Sequence, residues 1–335
     1  MKVLVTGGAG FIGSALIKVW LRNDPSVRIV NLDKLTYCGD LFRLKEVSKN
    51  PRLRFVQGDV CRPKDVEKAM KGCRAVVHLA AETHVDRSLL DAKAFLDTNV
   101  YGTYVLLETA RKMSVERLVH VSTDEVYGSR DKGFFTEKDA LAPTSPYSVS
   151  KTAADLLALS YAHTHRMPVV VTRGSNTFGP AQYPEKVIPL FVTNALSDQP
   201  LPLYGDGLQV RNWLYVEDHA RAILTALHKG KIGEAYNVST SDSLTNLELT
   251  RRILTILGKP RSLIQKVKDR PGHDRRYAIR SKKLRALGWT ERFSFGEALR
   301  STVRWFRANE VWWRRLKEKR SDFGNYYKKA YASKF

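Results

Sequence analysis

The sequence predicts an α/β protein, a doubly wound parallel sheet followed by a smaller C-terminal α/β lobe. Three observations lead there. At 335 residues the chain is about twice the usual 100–200 of one domain. Its first half alternates short β-branched apolar runs with longer amphipathic stretches. A glycine-rich turn, Gly7-Gly8-Ala9-Gly10-Phe11-Ile12-Gly13, joins the first such run to the first amphipathic stretch.

The elements follow in order. Buried strands are read at residues 2–6, 27–32, 53–57, 75–79, 118–122 and 169–172, with helices at 12–22, 63–70, 95–112 and 148–165. The strands are continuous apolar runs, not alternating ones, as expected of a parallel sheet covered on both faces. Beyond Arg173 the pattern breaks at Pro180, Pro184, Pro189, Pro200 and Pro202. There only 235–238 looks like a further strand of the main sheet, and 246–257 and 295–308 read as helices. The expected division is a Rossmann-type dinucleotide-binding domain over 1–172 and a lobe over 173–335, with a segment near 211–240 returning to the first domain.

Composition excludes several classes. With 43% hydrophobic and 27% charged residues the chain matches ordinary globular proteins, not disordered or fibrous ones. No apolar run approaches the roughly 20 residues of a membrane helix. Val3-Leu4-Val5 follows Met1 too closely for a secretory signal, so the fold is expected to begin at Met1. Three cysteines, Cys38, Cys61 and Cys73, suggest neither a disulfide framework nor a zinc site, and a reducing cytoplasm is expected. His84, His163, His165 and His273 have no metal spacing, so no metal is assigned. The net charge of +22 suits anionic partners. Part of it is concentrated in 310–335, but the remainder is spread as on a solvated surface, so a nucleic-acid partner is not expected.

The glycine turn is where chemistry begins. Gly7 permits the tight turn, Gly10 lets backbone approach a pyrophosphate, and Gly13 lets helix and strand pack closely. The helix N-terminus then offers N–H groups and a positive dipole end to phosphates. Asp33, closing the second strand, is placed to accept ribose hydroxyls and repel a 2′-phosphate, which favours NAD over NADP. Lys34 beside it tempers that preference. Asp59 is placed to hold the adenine edge. Tyr147 and Lys151, spaced i, i+4, share one helix face. The ammonium is expected to lower the phenol's pKa, making Tyr147 a base.

With these residues in place, the chain resembles the extended short-chain dehydrogenase/reductase superfamily and, within it, the dTDP-glucose 4,6-dehydratase family. The resemblance runs from the glycine turn through Asp33-Lys34-Leu35-Thr36-Tyr37, Ala80-Ala81-Glu82-Thr83-His84-Val85-Asp86-Arg87-Ser88 and Ser122-Thr123-Asp124-Glu125-Val126-Tyr127-Gly128. It continues in Pro184-Glu185-Lys186, Tyr204-Gly205-Asp206-Gly207, Arg211-Asn212-Trp213 and Asp269-Arg270-Pro271-Gly272-His273-Asp274-Arg275-Arg276-Tyr277. Related epimerases and decarboxylases, as families, lack the adjacent Asp124-Glu125 pair.

The resemblance implies a three-step reaction on a nucleotide-diphosphate sugar, belonging to deoxysugar biosynthesis. C4 is oxidised by NAD with Tyr147 as base, Lys151 beside it and Thr123 on the C4 oxygen. Glu125 takes the C5 proton while Asp124, held protonated, gives one to the departing C6 hydroxyl, and hydride returns to C6. It also implies NAD contacts at Gly7, Gly10, Phe11, Ile12, Gly13, Asp33, Lys34, Thr36, Asp59, Val60, Leu79, Ala80, Ala81, Thr98, Tyr147, Lys151 and Thr177. Substrate contacts are implied at Thr83, Asn176, Lys186, Val187, Pro202, Tyr204, Arg211, Asn246, Arg270, His273 and Tyr277. NAD is expected to stay bound through the cycle, and a homodimer is expected through helices 95–112 and 148–165, for which Val105, Leu106, Leu107, Leu156, Leu157 and Leu159 supply the apolar content. The chain departs from the family where Asn176-Thr177-Phe178-Gly179-Pro180-Ala181 replaces Asn-Asn-Tyr-Gly-Pro-Tyr. Nucleoside and sugar therefore stay open, with a UDP-sugar 4,6-dehydratase or nucleotide-sugar 4-epimerase as alternatives and an NAD-sensing basic binding protein as a distant third.

Overall fold

The computed structural model describes residues 1–241, 243–269 and 274–318. Its strands are β1 (Lys2–Thr6), β2 (Arg28–Asp33), β3 (Leu53–Gln57), β4 (Ala75–His78), β5 (Arg117–Thr123), β6 (Val169–Gly174), β7 (Asn176–Phe178), β8 (Leu201–Tyr204), β9 (Val210–Tyr215), β10 (Ala235–Val238), β11 (Ser243–Thr245) and β12 (Ile264–Val267). Its helices are α1 (Phe11–Asn23), α2 (Pro63–Met70), α3 (Val85–Leu90), α4 (Lys93–Phe95), α5 (Gly102–Lys112), α6 (Pro146–His165), α7 (Val187–Leu196), α8 (Val216–Lys229), α9 (Asn246–Leu257), α10 (Lys282–Arg285), α11 (Phe295–Ala308) and α12 (Glu310–Glu318). A wide π-helical turn, Leu96–Tyr101, joins α4 to α5.

Seven parallel strands form the main sheet in the order β10-β6-β5-β4-β1-β2-β3. The chain winds outward from β1 to β3, then crosses back to β4 and winds the other way. The order therefore reverses between β1 and β4, where such sheets open a binding crevice at their C-terminal ends. Both faces are covered. Leu4, Val30, Leu32 and Val76 point at α2, α5 and α6, whereas Val3, Val5, Ile29 and Val77 point at α1 and α8. That alternation of apolar partners explains why the strands read as unbroken hydrophobic runs. β10 returns from the second half of the chain to pair with β6, from Ala235 opposite Val171 to Val238 opposite Gly174.

The second lobe packs α7, α9, α11 and α12 around Phe178, Phe191, Leu249, Leu299, Phe306 and Trp313. Two small sheets edge it, β11-β9-β7 and β12-β8. Apart from β10, the strands beyond Arg173 escaped the sequence reading because they are short and take their stability from tertiary packing. Helix α7 was missed because Pro189 looked like a breaker. It lies in the first turn, where backbone N–H groups lack helical partners anyway. Helix α8 also went unread, although with α1 it covers one face of the main sheet.

Two other expectations change. Val105, Leu106 and Leu107 lie in the core under α5, so they are unavailable to a partner; the exposed apolar side chains of this region are Leu96, Tyr101, Tyr104, Val149 and Leu156. The basic segment from 310 is, as far as Glu318, helix α12, which buries Trp312, Trp313 and Leu316. Arg315 and Trp312 both reach Asp40, at 2.7 and 3.0 Å, tying the lobe to the loop after β2. Residues 319–335 lie outside the described part, as do Arg270 and His273. Among the described residues no helix is long and apolar enough to cross a membrane.

Candidate active site

One cavity of ≈ 300 Å³ runs along the C-terminal edge of the main sheet, between the two lobes. Its floor begins at the glycine turn. Gly7 holds φ +73, in the left-handed region, and a Cβ there would stand 2.7 Å from the Ala80 nitrogen at the end of β4. A Cβ on Gly13 would stand 2.3 Å from the Gly7 carbonyl oxygen, so helix and turn pack with no room for a side chain. The bare backbone and the first turn of α1 leave the space and the N–H groups that a dinucleotide pyrophosphate uses.

Asp33 does more than line the groove. Its Oδ2 accepts from the Ala9 N–H at 2.8 Å and its Oδ1 from the Leu35 N–H at 2.8 Å, so it also fastens the glycine turn to β2. Burial raises its pKa, opposed by these two N–H groups and by Arg43. Lys34 is paired with Asp59 at 2.7 Å. That pairing occupies the ammonium which had tempered the choice of NAD over NADP.

The reacting end is built by β5 and α6. Helix α6 starts at a Ser145–Ser148 capping box with Pro146 in its first turn. Tyr147 and Lys151, 7% and 5% exposed, therefore point into the cavity from its first two turns. The Lys151 ammonium donates to the Val121 carbonyl at 2.7 Å and does not reach the phenol. The expected lowering of the Tyr147 pKa is not found: burial and the nearby Glu125 push it up, with a hydrogen bond to Thr123 opposing. Burial pushes Lys151 down to about 8. Beneath it lie His78 and His120, rings 5.4 Å apart, both held neutral by burial and by the Lys151 charge.

Thr123 ends β5, and Asp124 and Glu125 open the 3₁₀ turn Asp124–Tyr127 that follows. The Glu125 N–H donates to the Thr123 hydroxyl at 3.3 Å. Asp124 is 2% exposed. Burial and the adjacent Glu125 push its pKa up to about 8, against Arg211 and Thr123. The two neighbouring acids thus stand in different settings, one buried and inclined to keep its proton.

Every residue assigned to NAD lines this cavity, together with Thr83, Thr123, Asp124, Glu125, Asn176, Lys186 and Val187. Lys186 reaches the Thr83 carbonyl at 2.8 Å. Pro202, Tyr204, Arg211, Asn246 and Tyr277 do not line it. They lie in the second lobe beside it: Tyr204 donates to Asp86 at 3.0 Å, and the Asn246 amide is 3.5 Å from Gln209. Arg211 stacks 4.1 Å over the Tyr277 ring and donates to the Asp274 carbonyl at 2.8 Å. Arg211 and Tyr277 remain within electrostatic reach of Asp124 and Glu125 respectively.

Several wall residues were given no role by the sequence. Arg43, 3% exposed, donates to the carbonyls of Cys38 and Ala181, at 2.8 Å each, and of Ala9 at 3.2 Å. It thereby joins the glycine turn to the second lobe and helps hold Ala181 at φ +61. Glu185 accepts from Tyr37 at 2.7 Å and Arg87 at 2.9 Å, a second strap across the same groove. His219, Ser175 and Gln182 also line the cavity. Glu185, Tyr37 and Arg87 stand inside motifs, but their pairing, like the contacts of Arg43 and His219 outside any motif, becomes visible only once the chain is folded around them.

A dinucleotide groove at the switch point, with a Tyr–Lys pair on its floor, defines a short-chain dehydrogenase/reductase of the extended kind. Residues 4–302 match the family described as GDP-mannose 4,6 dehydratase. A dTDP-glucose 4,6-dehydratase of Streptomyces niveus is 47% identical over 322 residues, covering 95% of this chain and 96% of the relative. The crystal structure of a dTDP-glucose 4,6-dehydratase from Streptomyces venezuelae, solved with NAD, superposes with a TM-score of 0.93 at 48% identity, covering 95% of this chain and all of that one. A UDP-glucose 4-epimerase of Thermus thermophilus, also with NAD, is more distant: TM-score 0.86, 32% identity, 92% of this chain and 100% of the other. The chain belongs to the nucleotide-sugar 4,6-dehydratase family, on the dTDP-glucose 4,6-dehydratase branch.

Proposed function

We propose that the protein converts dTDP-glucose to dTDP-4-keto-6-deoxyglucose with NAD as a recycled cofactor. One observation carries the reading. Asp124 and Glu125 follow Thr123 into the cavity that also holds Tyr147, Lys151 and the glycine turn, and Asp124 is buried so that it favours its protonated form. Gly7–Gly13 and Asp33 would hold NAD, which when bound would supply the hydride acceptor for C4–H and the hydride donor for C6. Tyr147 takes the C4 hydroxyl proton while Thr123 hydrogen-bonds the C4 oxygen. Glu125 takes the C5 proton, now acidic beside a carbonyl, and Asp124 gives its proton to the C6 hydroxyl so that it leaves as water. When hydride reaches C6, Glu125 returns its proton to C5, and Asp124 recovers through solvent a proton equivalent to the one Tyr147 releases. Sugar C4 is oxidised and C6 reduced, so the net change is the loss of one water.

Residues 1–172, with the segment near 211–240, serve as the NAD domain and most of 173–335 as the nucleotide-sugar lobe. Lys186 and Arg211, with Arg270, supply cationic donors for the diphosphate. The protein works as a homodimer in the cytoplasm, where its three free thiols stay reduced. The surplus of positive charge attracts the anionic substrate, and no nucleic acid is needed to account for it.

Incubation with dTDP-, UDP-, GDP- and CDP-glucose, followed by product mass, tests this reading. Loss of one water from the dTDP sugar in preference to the others is expected. An isomer of unchanged mass would make the protein an epimerase, and preferred turnover of the UDP sugar would make it a UDP-sugar dehydratase.

A further inference from the structure

We propose that His219, set in its tautomer by Thr177, accepts a hydrogen bond from the nicotinamide carboxamide, with the Ser175 hydroxyl as its complement. Thr177 lies in β7 and His219 in the first turn of α8, and both line the cavity beside Gly174 and Ser175. His219 is 2% exposed. Its Nδ1 is 2.8 Å from the Thr177 hydroxyl, which is 3.1 Å from the Ser175 carbonyl.

The directions of these bonds follow from the inventory of donors. A carbonyl only accepts, so satisfying both contacts sends the hydroxyl proton to Ser175 and leaves a hydroxyl lone pair for an Nδ1–H. Burial pushes the imidazole down to about 4, so it carries one proton, already placed on Nδ1. Nε2 is therefore a bare acceptor. It is buried without a hydrogen-bond partner, and so is the Ser175 hydroxyl. Buried polar groups of this kind are rarely left unmatched, least of all two on one wall of a ligand cavity.

Position selects the ligand. A Cβ on Gly174 would stand 2.5 Å from the His219 Cε1, so the ring is pressed against the end of β6. Gly174 is the register partner of Thr123 on β5. The unmatched acceptor and hydroxyl thus sit one strand away from the reacting end, in the cavity that begins at the glycine turn. A carboxamide presents an N–H donor and a carbonyl acceptor side by side, which is the complement of Nε2 and a serine hydroxyl. Fixing that amide fixes the ring face, which a reaction that removes hydride from C4 and returns it to C6 requires.

This inference rests on the NAD reading, and the test separates the two. Displacement of bound NAD⁺ from the purified protein is measured with ADP-ribose, which lacks nicotinamide, and with 3-acetylpyridine adenine dinucleotide, whose acetyl group has no N–H. The native protein is expected to prefer NAD⁺ over the acetyl analogue by about tenfold, the scale of one buried hydrogen bond. His219→Leu is expected to abolish that preference while ADP-ribose affinity stays within about twofold. His219→Gln, whose carbonyl oxygen can stand near the Nε2 position, is expected to restore part of it. Thr177→Val keeps the side-chain volume, releases the tautomer and is expected to reduce the preference, so it serves if His219→Leu does not fold. A preference that survives both substitutions, or a parallel weakening of all three ligands, overturns the assignment. So does a loss confined to nucleotide-sugar binding, which would put Nε2 on the sugar. Failure of ADP-ribose to bind the native protein would overturn the NAD reading and this inference together.

Discussion

Asp124 and Glu125 are neighbours in sequence, and the proposed chemistry asks opposite things of them. Tyr147→Phe is expected to stop the reaction before any NADH forms, because the C4 hydroxyl keeps its proton. Glu125→Gln keeps size and hydrogen-bonding capacity without the base. In a single turnover enzyme-bound NADH should accumulate, C5 deuterium should cease to exchange, and elimination should slow by roughly 10²–10⁴. Asp124→Asn should retain C5 exchange and stall at the loss of water. An undiminished rate for Glu125→Gln would assign the C5 proton to another group. The setting of Asp124 also fixes a pH effect. Its carboxyl is raised from 3.8 to about 8 by burial and by Glu125, so between those values the folded protein holds a proton that the unfolded chain has released. Stability from this group therefore falls as pH rises across that window, and the water-expulsion rate falls above about 8. Urea unfolding at several pH values should show a flatter decline for Asp124→Asn. The adjacent acids and the Tyr–Lys spacing were legible as a motif, whereas the Asp124 proton, the Lys151 contact with Val121 and the straps of Arg43 and Glu185 depend on burial and on partners far away in sequence.

The six first-half strands and helices α1, α2, α5 and α6 could be read to within a few residues because the inner strands are buried on both faces and the helices have clean amphipathic faces, whereas the short α3 was not read and β3, at the sheet edge, is only partly buried. The second-lobe strands are three to six residues long and include polar positions such as Asn176, Arg211 and Asn212. Their sequences alone do not mark them. Helix α6 illustrates how an element is held for function. Its Asp155, 0% exposed, takes a two-point ion pair from Arg173 on β6 at 2.8 and 2.9 Å, and Arg173 also donates to the Tyr127 hydroxyl at 2.8 Å. Arg173→Leu would leave a carboxylate buried without its cation, and a loss of about 3–5 kcal/mol is expected in urea unfolding. Adding Asp155→Leu should recover most of it, since the penalty lies in the orphaned charge. A loss under about 1 kcal/mol for the single variant would show that Asp155 finds another partner or a proton.

At the scale of the whole molecule, the outer surface around α5 and α6 bears on assembly. Leu96, Tyr101, Tyr104, Val149 and Leu156 are 44–52% exposed, and the proposed homodimer covers them. Sedimentation at micromolar concentration should show a species of twice 38.0 kDa, and Leu156→Glu with Tyr104→Glu should shift it toward the single chain. A native protein that sediments only at 38.0 kDa would refute the dimer. The π-helical turn at Leu96–Tyr101 bears on how such a surface can change over time. It carries one residue more than a regular helix would use, and the wide turn absorbs that residue, so the helix faces before and after it stay in phase. Deleting one residue there would leave a regular helix with Tyr104 still on the outer face and Val105 and Leu106 still in the core, whereas deleting one within the regular turns of α5 would rotate every later side chain by about 100°. The wide turn is thus the point along this helix at which a change in length is open to evolution, while the turns that follow it admit only residue swaps.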